Sequence, residues 1–206
     1  NGNAALVERL LVAGANPDTA SEEGQTALMT AARNGSVAAV RALLKRGAQV
    51  GLTESFRGQT ALMFAAGEGN ADAATLLIEF GAKLNERSKG GYTPLLFAVR
   101  NNRYEMVKFL LEQGANVDDR IPDGTSALSI AILNADFDLA ALLLDSGADP
   151  NVPDPRGHPL HVVVWLHQPG APPDFAMNGE DPQPVPRPRG KLSHLDMAKK
   201  LLAAGA

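Results

Sequence analysis

The stretch Gly91-Tyr92-Thr93-Pro94-Leu95-Leu96-Phe97-Ala98-Val99-Arg100-Asn101-Asn102, continued by Arg103-Tyr104-Glu105-Met106-Val107-Lys108-Phe109-Leu110-Leu111-Glu112-Gln113-Gly114-Ala115, reads as two short helices with their punctuation. The Thr93 hydroxyl can accept from the free amides of a first helical turn, and Pro94 falls at the first helical position, where its missing N–H costs nothing. About nine residues on, Asn102 stands where a tight turn wants a left-handed backbone, so this first helix is short. The second helix carries Met106, Val107, Leu110 and Leu111 at i, i+3, i+4 spacing. Gly114 closes it as a left-handed cap.

The same punctuation recurs outward from this stretch. Gly-Ala stands at 14–15, 47–48, 81–82, 114–115, 147–148 and 205–206, with successive spacings of 33, 34, 33, 33 and 58. An aliphatic pair precedes each glycine: Leu10-Leu11, Leu43-Leu44, Leu77-Ile78, Leu110-Leu111, Leu143-Leu144 and Leu201-Leu202. The start signal recurs as Gly24-Gln25-Thr26, Gly58-Gln59-Thr60 and Gly124-Thr125-Ser126, each followed by Ala-Leu. Gly35 and Gly69 take the place of Asn102, whereas Ala135 is the exception at that turn. Behind each Gly-Ala comes a polar segment that reads as a hairpin-like connector rather than a core strand. A fixed period of this length decides the architecture. Each unit is helix, turn, helix, loop, and the units run over about 1–20, 21–53, 54–87, 88–120, 121–153 and 154–206.

These residues resemble the ankyrin repeat, with its Gly-x-Thr-Pro-Leu-His start and Val-x-x-Leu-Leu-x-x-Gly-Ala finish. The resemblance covers nearly the whole chain and implies an all-α solenoid over 1–206. Met29, Met63, Leu96 and Ser129 replace the usual histidine of the start motif, and among the starts only Thr93-Pro94 keeps the Thr-Pro. These departures are expected to weaken the local hydrogen-bond network while leaving the fold intact. Helices this short are marginal alone in water, so neighbouring repeats hold them. Alanine-rich first helices, such as those with Ala31-Ala32 and Ala65-Ala66, are expected to pack closely on aliphatic second helices. The first and last repeats read as truncated and uncapped, which leads us to expect a longer parent chain or faces covered by another chain.

Composition narrows the function. The 206 residues are 45% hydrophobic and carry a formal charge of -4 with pI about 5.6. That balance gives no general attraction to nucleic acid or anionic lipid. The longest apolar runs, such as Leu160 to Leu166, are far short of the ~20 residues that span a bilayer, so no membrane insertion is expected. The chain has no cysteine, which excludes disulfides, cysteine-held metals and thiol nucleophiles and fits either redox compartment.

The sixth repeat is interrupted. It starts at Gly157-His158-Pro159-Leu160-His161, but its second helix resumes only at Ser193, with Leu195, Ala198, Leu201 and Leu202 on one face. The intervening segment, 168–190, holds seven of the fourteen prolines and reads as an inserted loop. Proline at every second residue from Pro182 to Pro188 favours an extended rod flanked by Arg187 and Arg189. Both a docking role and a passive spacer are open for it, with Trp165, Phe175 and Met177 as its anchors.

Chemistry-bearing residues are few. His158, His161, His167 and His194 cluster near the insertion with Asp174, Glu180 and Asp181, but His161 falls on the start-motif histidine and His158 on the capping position. No His-Glu-x-x-His follows, so we expect no metal site. No nucleophile elbow, phosphate loop or dinucleotide fingerprint is present, and we expect neither a catalytic residue nor a cofactor. The acids Glu22-Glu23 sit at a solvated loop tip, where nothing raises one pKa to make a general acid.

The ankyrin resemblance implies a protein-binding scaffold whose concave surface is built from loop tips and first-helix ends. The tips carried over are Glu22, Glu23, Gln25, Phe56, Arg57, Gln59, Lys89, Tyr92, Asp123 and Thr125. The helix ends are Arg33, Asn34, Glu68, Arg100, Asn101 and Leu133. Phe56, Arg57, Tyr92 and Arg100 are the expected anchors, because exposed aromatics and arginines dominate interface energetics. An alternative for Phe56 is that it fills the loop of the 34-residue spacing, which is one residue longer. The alternative function is structural, in which uncapped ends stack head to tail into a homo-oligomeric ring or filament.

Overall fold

A computed structural model describes residues 2–166 and 188–206, and among these residues the elements are eleven helices. The first helices start where a hydroxyl satisfies a free amide. Thr26, Thr60, Thr93 and Ser126 accept from the N–H groups of Met29, Met63, Leu96 and Ser129 at 3.3, 3.3, 3.4 and 3.1 Å. The residues in the histidine position are not idle. The Met63 sulfur accepts from the Thr60 N–H at 3.5 Å, and the Ser126 hydroxyl donates to that of Ser129 at 3.2 Å. Part of the expected loss of hydrogen bonding is therefore made good.

The helices fall into two compact units, Asn1–Asn116 and Val117–Ala206. The first holds α1 (Gly2–Val12), α2 (Ala27–Arg33), α3 (Val37–Lys45), α4 (Ala61–Glu68), α5 (Ala71–Glu79), α6 (Pro94–Arg100) and α7 (Tyr104–Glu112). Here α2, α4 and α6 pack side by side as one row, and α1, α3, α5 and α7 follow one another as a second. The alanines explain the close row: Ala32, Ala65, Ala66 and Ala98 are fully buried, so a methyl group is all that stands between backbones. Val40, Leu43, Leu77, Val107 and Leu110 of the second row seal the same core. Hairpin connectors close with isolated antiparallel bridges, Ala20 to Thr26 and Thr53 to Thr60, rather than strands.

Turns between paired helices also join one repeat to the next. Asn70 precedes α5 without capping it, and its amide instead donates to the Ala32 and Arg33 carbonyls at the end of α2, at 2.9 and 2.7 Å. In the next repeat the Asn101 amide and the Arg103 guanidinium both donate to the Gly67 carbonyl of α4, at 2.8 and 3.0 Å. The approach needs Gly35, whose φ is +64° and where a Cβ would lie 2.7 Å from the Asn70 Oδ1.

The second unit holds α8 (Ala127–Leu133), α9 (Phe137–Asp145), α10 (Pro159–Leu166) and α11 (His194–Ala203). α8 pairs with α9 and α10 with α11, while α8 packs on α10 and α9 on α11. α10 and α11 thus pack together as α8 and α9 do. Ser193 and Asp196 form a reciprocal cap at the start of α11: the Asp196 carboxylate accepts from the Ser193 N–H at 3.0 Å, and the Ser193 hydroxyl from the Asp196 N–H at 3.2 Å. Ala135 does adopt the left-handed turn, at φ +52°, so this turn forms without the usual glycine. The Ala135 carbonyl accepts from the Arg189 N–H at 2.7 Å, and the Asp138 carboxylate accepts from the Lys191 N–H at 3.0 Å and the Leu192 N–H at 3.2 Å. Burial pushes the neighbouring Asp136 carboxyl above its ordinary range, with the charge of Asp138 adding to it, against the Leu139 N–H and Arg189. The rest of the expected insertion, including Phe175, Met177 and the rod before Pro188, lies outside the described residues.

Candidate functional site

Each connector tip is a tight turn whose shape depends on one side-chain acceptor. In the second and fourth repeats that acceptor is a serine: Ser21 takes the Gln25 N–H at 3.2 Å and Ser88 takes the Tyr92 N–H at 3.1 Å. The third repeat has one extra residue, and Glu54 stands in the equivalent place. Its buried carboxylate accepts from the N–H groups of Phe56 at 2.7 Å, Arg57 at 2.8 Å and Gln59 at 2.9 Å. Burial alone pushes the Glu54 carboxyl up, but the Gln59, Phe56 and Arg57 amides, helped by Lys89, together hold it below the ordinary value of 4.5. Glu54 therefore fills the longer loop. Phe56 is left 78% exposed and does not.

Around this turn the expected tip residues take distinct places. Glu22, Glu23 and Arg57 are exposed and Gln25 is half-buried. Gln59 is only 8% exposed and stands at the base of the turn. Lys89 is exposed, with its ammonium donating to the Ser55 carbonyl and its own N–H to the Arg57 carbonyl at 2.8 Å. Tyr92 is half-buried, with its ring 5.4 Å from that of Phe97, and the Arg100 guanidinium lies over the Tyr92 ring at 5.4 Å. Arg33, at the end of α2, lies over the Phe64 ring of α4 at 4.2 Å, and Arg57 over its neighbour Phe56 at 5.7 Å.

Among helix-end residues, Asn34, Glu68 and Asn101 are exposed. Glu68 pairs with Arg103 at 3.3 Å, and Asn101 is committed to the Gly67 carbonyl. Gly67 itself occupies the place held by Arg33 and Arg100 in adjoining repeats, and a Cβ there would press on the Asn101 amide at 3.2 Å. Between Glu23, Gln25, Arg33, Glu54, Phe56, Arg57, Gln59 and Phe64 opens a cleft of about 390 Å³.

In the second unit Asp123 is exposed, Leu133 is half-buried, and Thr125 is only 2% exposed. Asp123 accepts from the Thr125 N–H at 2.8 Å. The water it loses to its neighbours raises the carboxyl, yet the Thr125 N–H and hydroxyl, with Arg156 nearby, bring it below 3.8. His158 shares a 2.9 Å hydrogen bond with the Asn151 carbonyl, and the His194 ring meets Phe137 edge-on at 5.0 Å. Among the described residues no three His, Asp or Glu side chains are grouped to hold a metal ion, and no helix is long and apolar enough to cross a membrane. His167, Asp174, Glu180 and Asp181 lie outside them.

Glu54, Asn70 and Arg103 are the structural partners of this face that sequence reading passed over. A signal for Glu54 existed in the 34-residue spacing, which calls for an acceptor longer than serine. Asn70 and Arg103 carried no local signal, because their partners lie 37 and 36 residues away.

Comparison with known proteins agrees with this helix order. The family model for ankyrin repeats in three copies matches residues 1–88, 42–121 and 80–154. The chain belongs to the ankyrin-repeat family. Among solved structures, the ankyrin repeat domain of Bcl-3, described as a unique member of the IkappaB protein family, is 34% identical with a TM-score of 0.70. That match covers 77% of this chain and 72% of that one. An ankyrin repeat domain from Acinetobacter baumannii AYE is 26% identical with a TM-score of 0.78, covering 100% of this chain and 94% of that one. No curated protein matches the chain. Ankyrin repeats mediate protein–protein interaction, and their fold is a known non-enzymatic scaffold.

Proposed function

We propose that this ankyrin-repeat chain is a non-catalytic scaffold that holds a protein partner on its loop tips and first-helix ends. The observation that carries the reading is the stack of Arg100 on Tyr92 on Phe97. Stacking fixes the Tyr92 and Arg100 side chains before a partner arrives, so less rotamer entropy is lost on binding. Arg33 over Phe64 repeats the arrangement. Exposed Glu22, Glu23, Asn34 and Phe56 surround these anchors in the first unit, and Asp123 and Leu133 offer contacts in the second. Gln59 and Thr125 act by shaping the turns beneath.

The test uses a partner captured by the wild-type chain and then purified. Tyr92→Ala combined with Arg100→Ala is expected to weaken that partner about 30-fold or more by calorimetry, as loss of central anchors does. Unchanged affinity in the double variant moves the binding surface elsewhere.

A second reading, end-to-end self-assembly, is favoured by apolar side chains left in water. Leu6, Leu10 and Val12 of α1 are exposed, as are Leu195 and Leu202 of α11. A hollow of about 560 Å³ lies between α1 and α2 and is lined by Leu6, Leu10, Ala27 and Ala31. Two different apolar faces on one chain generate open assemblies when they meet. Under this reading, light scattering shows mass rising with concentration, and Leu10→Glu abolishes the rise. A mass of one chain at every concentration eliminates it.

A further inference from the structure

We propose that the cleft between α1 and α3, a surface apart from the loop tips, takes an acidic protein segment that presents an apolar side chain. The cleft measures about 700 Å³, in the range of ligand-sized sites, and among the described residues no first helix or connector tip lines it. Its walls carry Ala5, Val12 and Ala42, with Arg9, Lys45 and Arg46 as cations and Glu8 as the acid. The opening follows from one small residue. Ala42 stands where the later second helices carry Leu76, Phe109 and Leu142, each one repeat further on, so a methyl group replaces the side chain that fills this place elsewhere. Val12 is left 68% exposed beside it. Methyl and isopropyl groups offer no hydrogen bond, and they suit an apolar occupant.

Charge selects the flanks of that occupant. The whole chain carries -4, yet this lining sets three cations against one carboxylate. Arg41, one helical turn before Lys45, adds a fourth cation to the same side of α3. All four are exposed, and among the described residues none has an ion-pair or hydrogen-bond partner for its side chain. Cations at a helix C-terminus also complement its carbonyls. The fold does not ask for them here, because the Gly47 and Ala48 N–H groups already donate to the Leu44 and Leu43 carbonyls, both at 3.0 Å. The positions of Lys45 and Arg46 hold Glu79 and Phe80, then Glu112 and Gln113, then Asp145 and Ser146 in the repeats that follow, whose helices end with the same bonds. Unpaired cations around an apolar floor favour a carboxylate-rich segment. Among the described residues no aromatic ring lines the cleft as a platform for a stacked base, which sets a protein segment ahead of a nucleic acid.

The experiment measures fluorescence anisotropy with labelled hexapeptides on the wild-type chain: Asp-Glu-Leu-Glu-Asp-Asp, its counterpart with lysine for each acid, and its counterpart with serine for leucine. The acidic leucine peptide is expected to bind about tenfold tighter than the lysine peptide and about threefold tighter than the serine peptide, and to weaken as salt screens the pairs. Two variants borrow residues with which later repeats of this chain already fold. Lys45→Glu is expected to weaken binding about tenfold, and Ala42→Leu, which fills the floor, about threefold. Glu8→Gln is expected to tighten it about twofold, an increase that damage to the fold does not produce. Lys108→Ala, exposed on α7, leaves it unchanged. Equal binding of the lysine or the serine peptide overturns the inference, as does an affinity that ignores both Lys45→Glu and Ala42→Leu. Tighter binding of an oligothymidylate of equal charge overturns it as well.

Discussion

Replacing Phe137 by Ala is expected to destabilise the second unit by about 3–5 kcal/mol, the range for emptying a buried aromatic site. The ring is 0% exposed and heads the largest fully buried side chains among the described residues. It opens α9 and meets His194 at the start of α11, so its loss removes the surface on which the last helix is seated. Because stacked repeats are held by nearest-neighbour contacts, the damage is local. Hydrogen exchange should show α11 amides losing protection while those of α4 and α5 keep theirs. Equal loss of protection in α4 and α5 contradicts this, as does a denaturation midpoint unmoved from that of the wild type.

Replacing Glu54 by Ala should cost about 2–3 kcal/mol, or a shift of about 1 M in the urea midpoint. The substitution strips the Phe56, Arg57 and Gln59 amides of their acceptor in a turn too long for serine to close. Glu54→Gln keeps one good acceptor oxygen and should lose about half as much at neutral pH. The pH dependence has a fixed sign. Glu54 has a folded-state pKa below 4.5, so its contribution is full above the unfolded value and fades as pH falls through the folded one. The gap between the wild type and Glu54→Gln should therefore be widest at neutral pH and close in acid. A gap that grows on acidification reverses the assignment. An unchanged gap does so too.

The helices and their spacing were legible because local rules and tertiary packing agree in each repeat. Thr26, Thr60, Thr93 and Ser126 cap as a hydroxyl in that place should, and Gly-Ala ends its helices in the left-handed region at Gly47, Gly81, Gly114 and Gly147. Ala135 was legible only as an exception. The backbone bonds from Ala135 to Ile132 at 2.8 Å and from Asp136 to Ala131 at 3.0 Å hold its turn despite the methyl group. The face offered to a partner was harder to read, since position in a repeat does not give exposure. Gln59 and Thr125 align with half-buried Gln25 and Tyr92, but they are buried. In the one case an added residue changes the turn, and in the other Arg156 reaches the Thr125 hydroxyl at 3.5 Å. The stacking of Arg33 on Phe64 crosses between repeats, which a reading confined to one period does not see.

The donors that Asn70 and Arg103 send back to α2 and α4 also set a schedule for the growing chain. The carbonyls at the end of α2 wait for an amide 37 residues downstream. Ribosomes add about 5–20 residues per second, so the ends of α2 and α4 leave synthesis unfinished for about 2–7 s until those donors arrive. During translation α2 and α4 are thus frayed at their ends until the following repeat has been made, and order there advances one repeat behind the chain's growth.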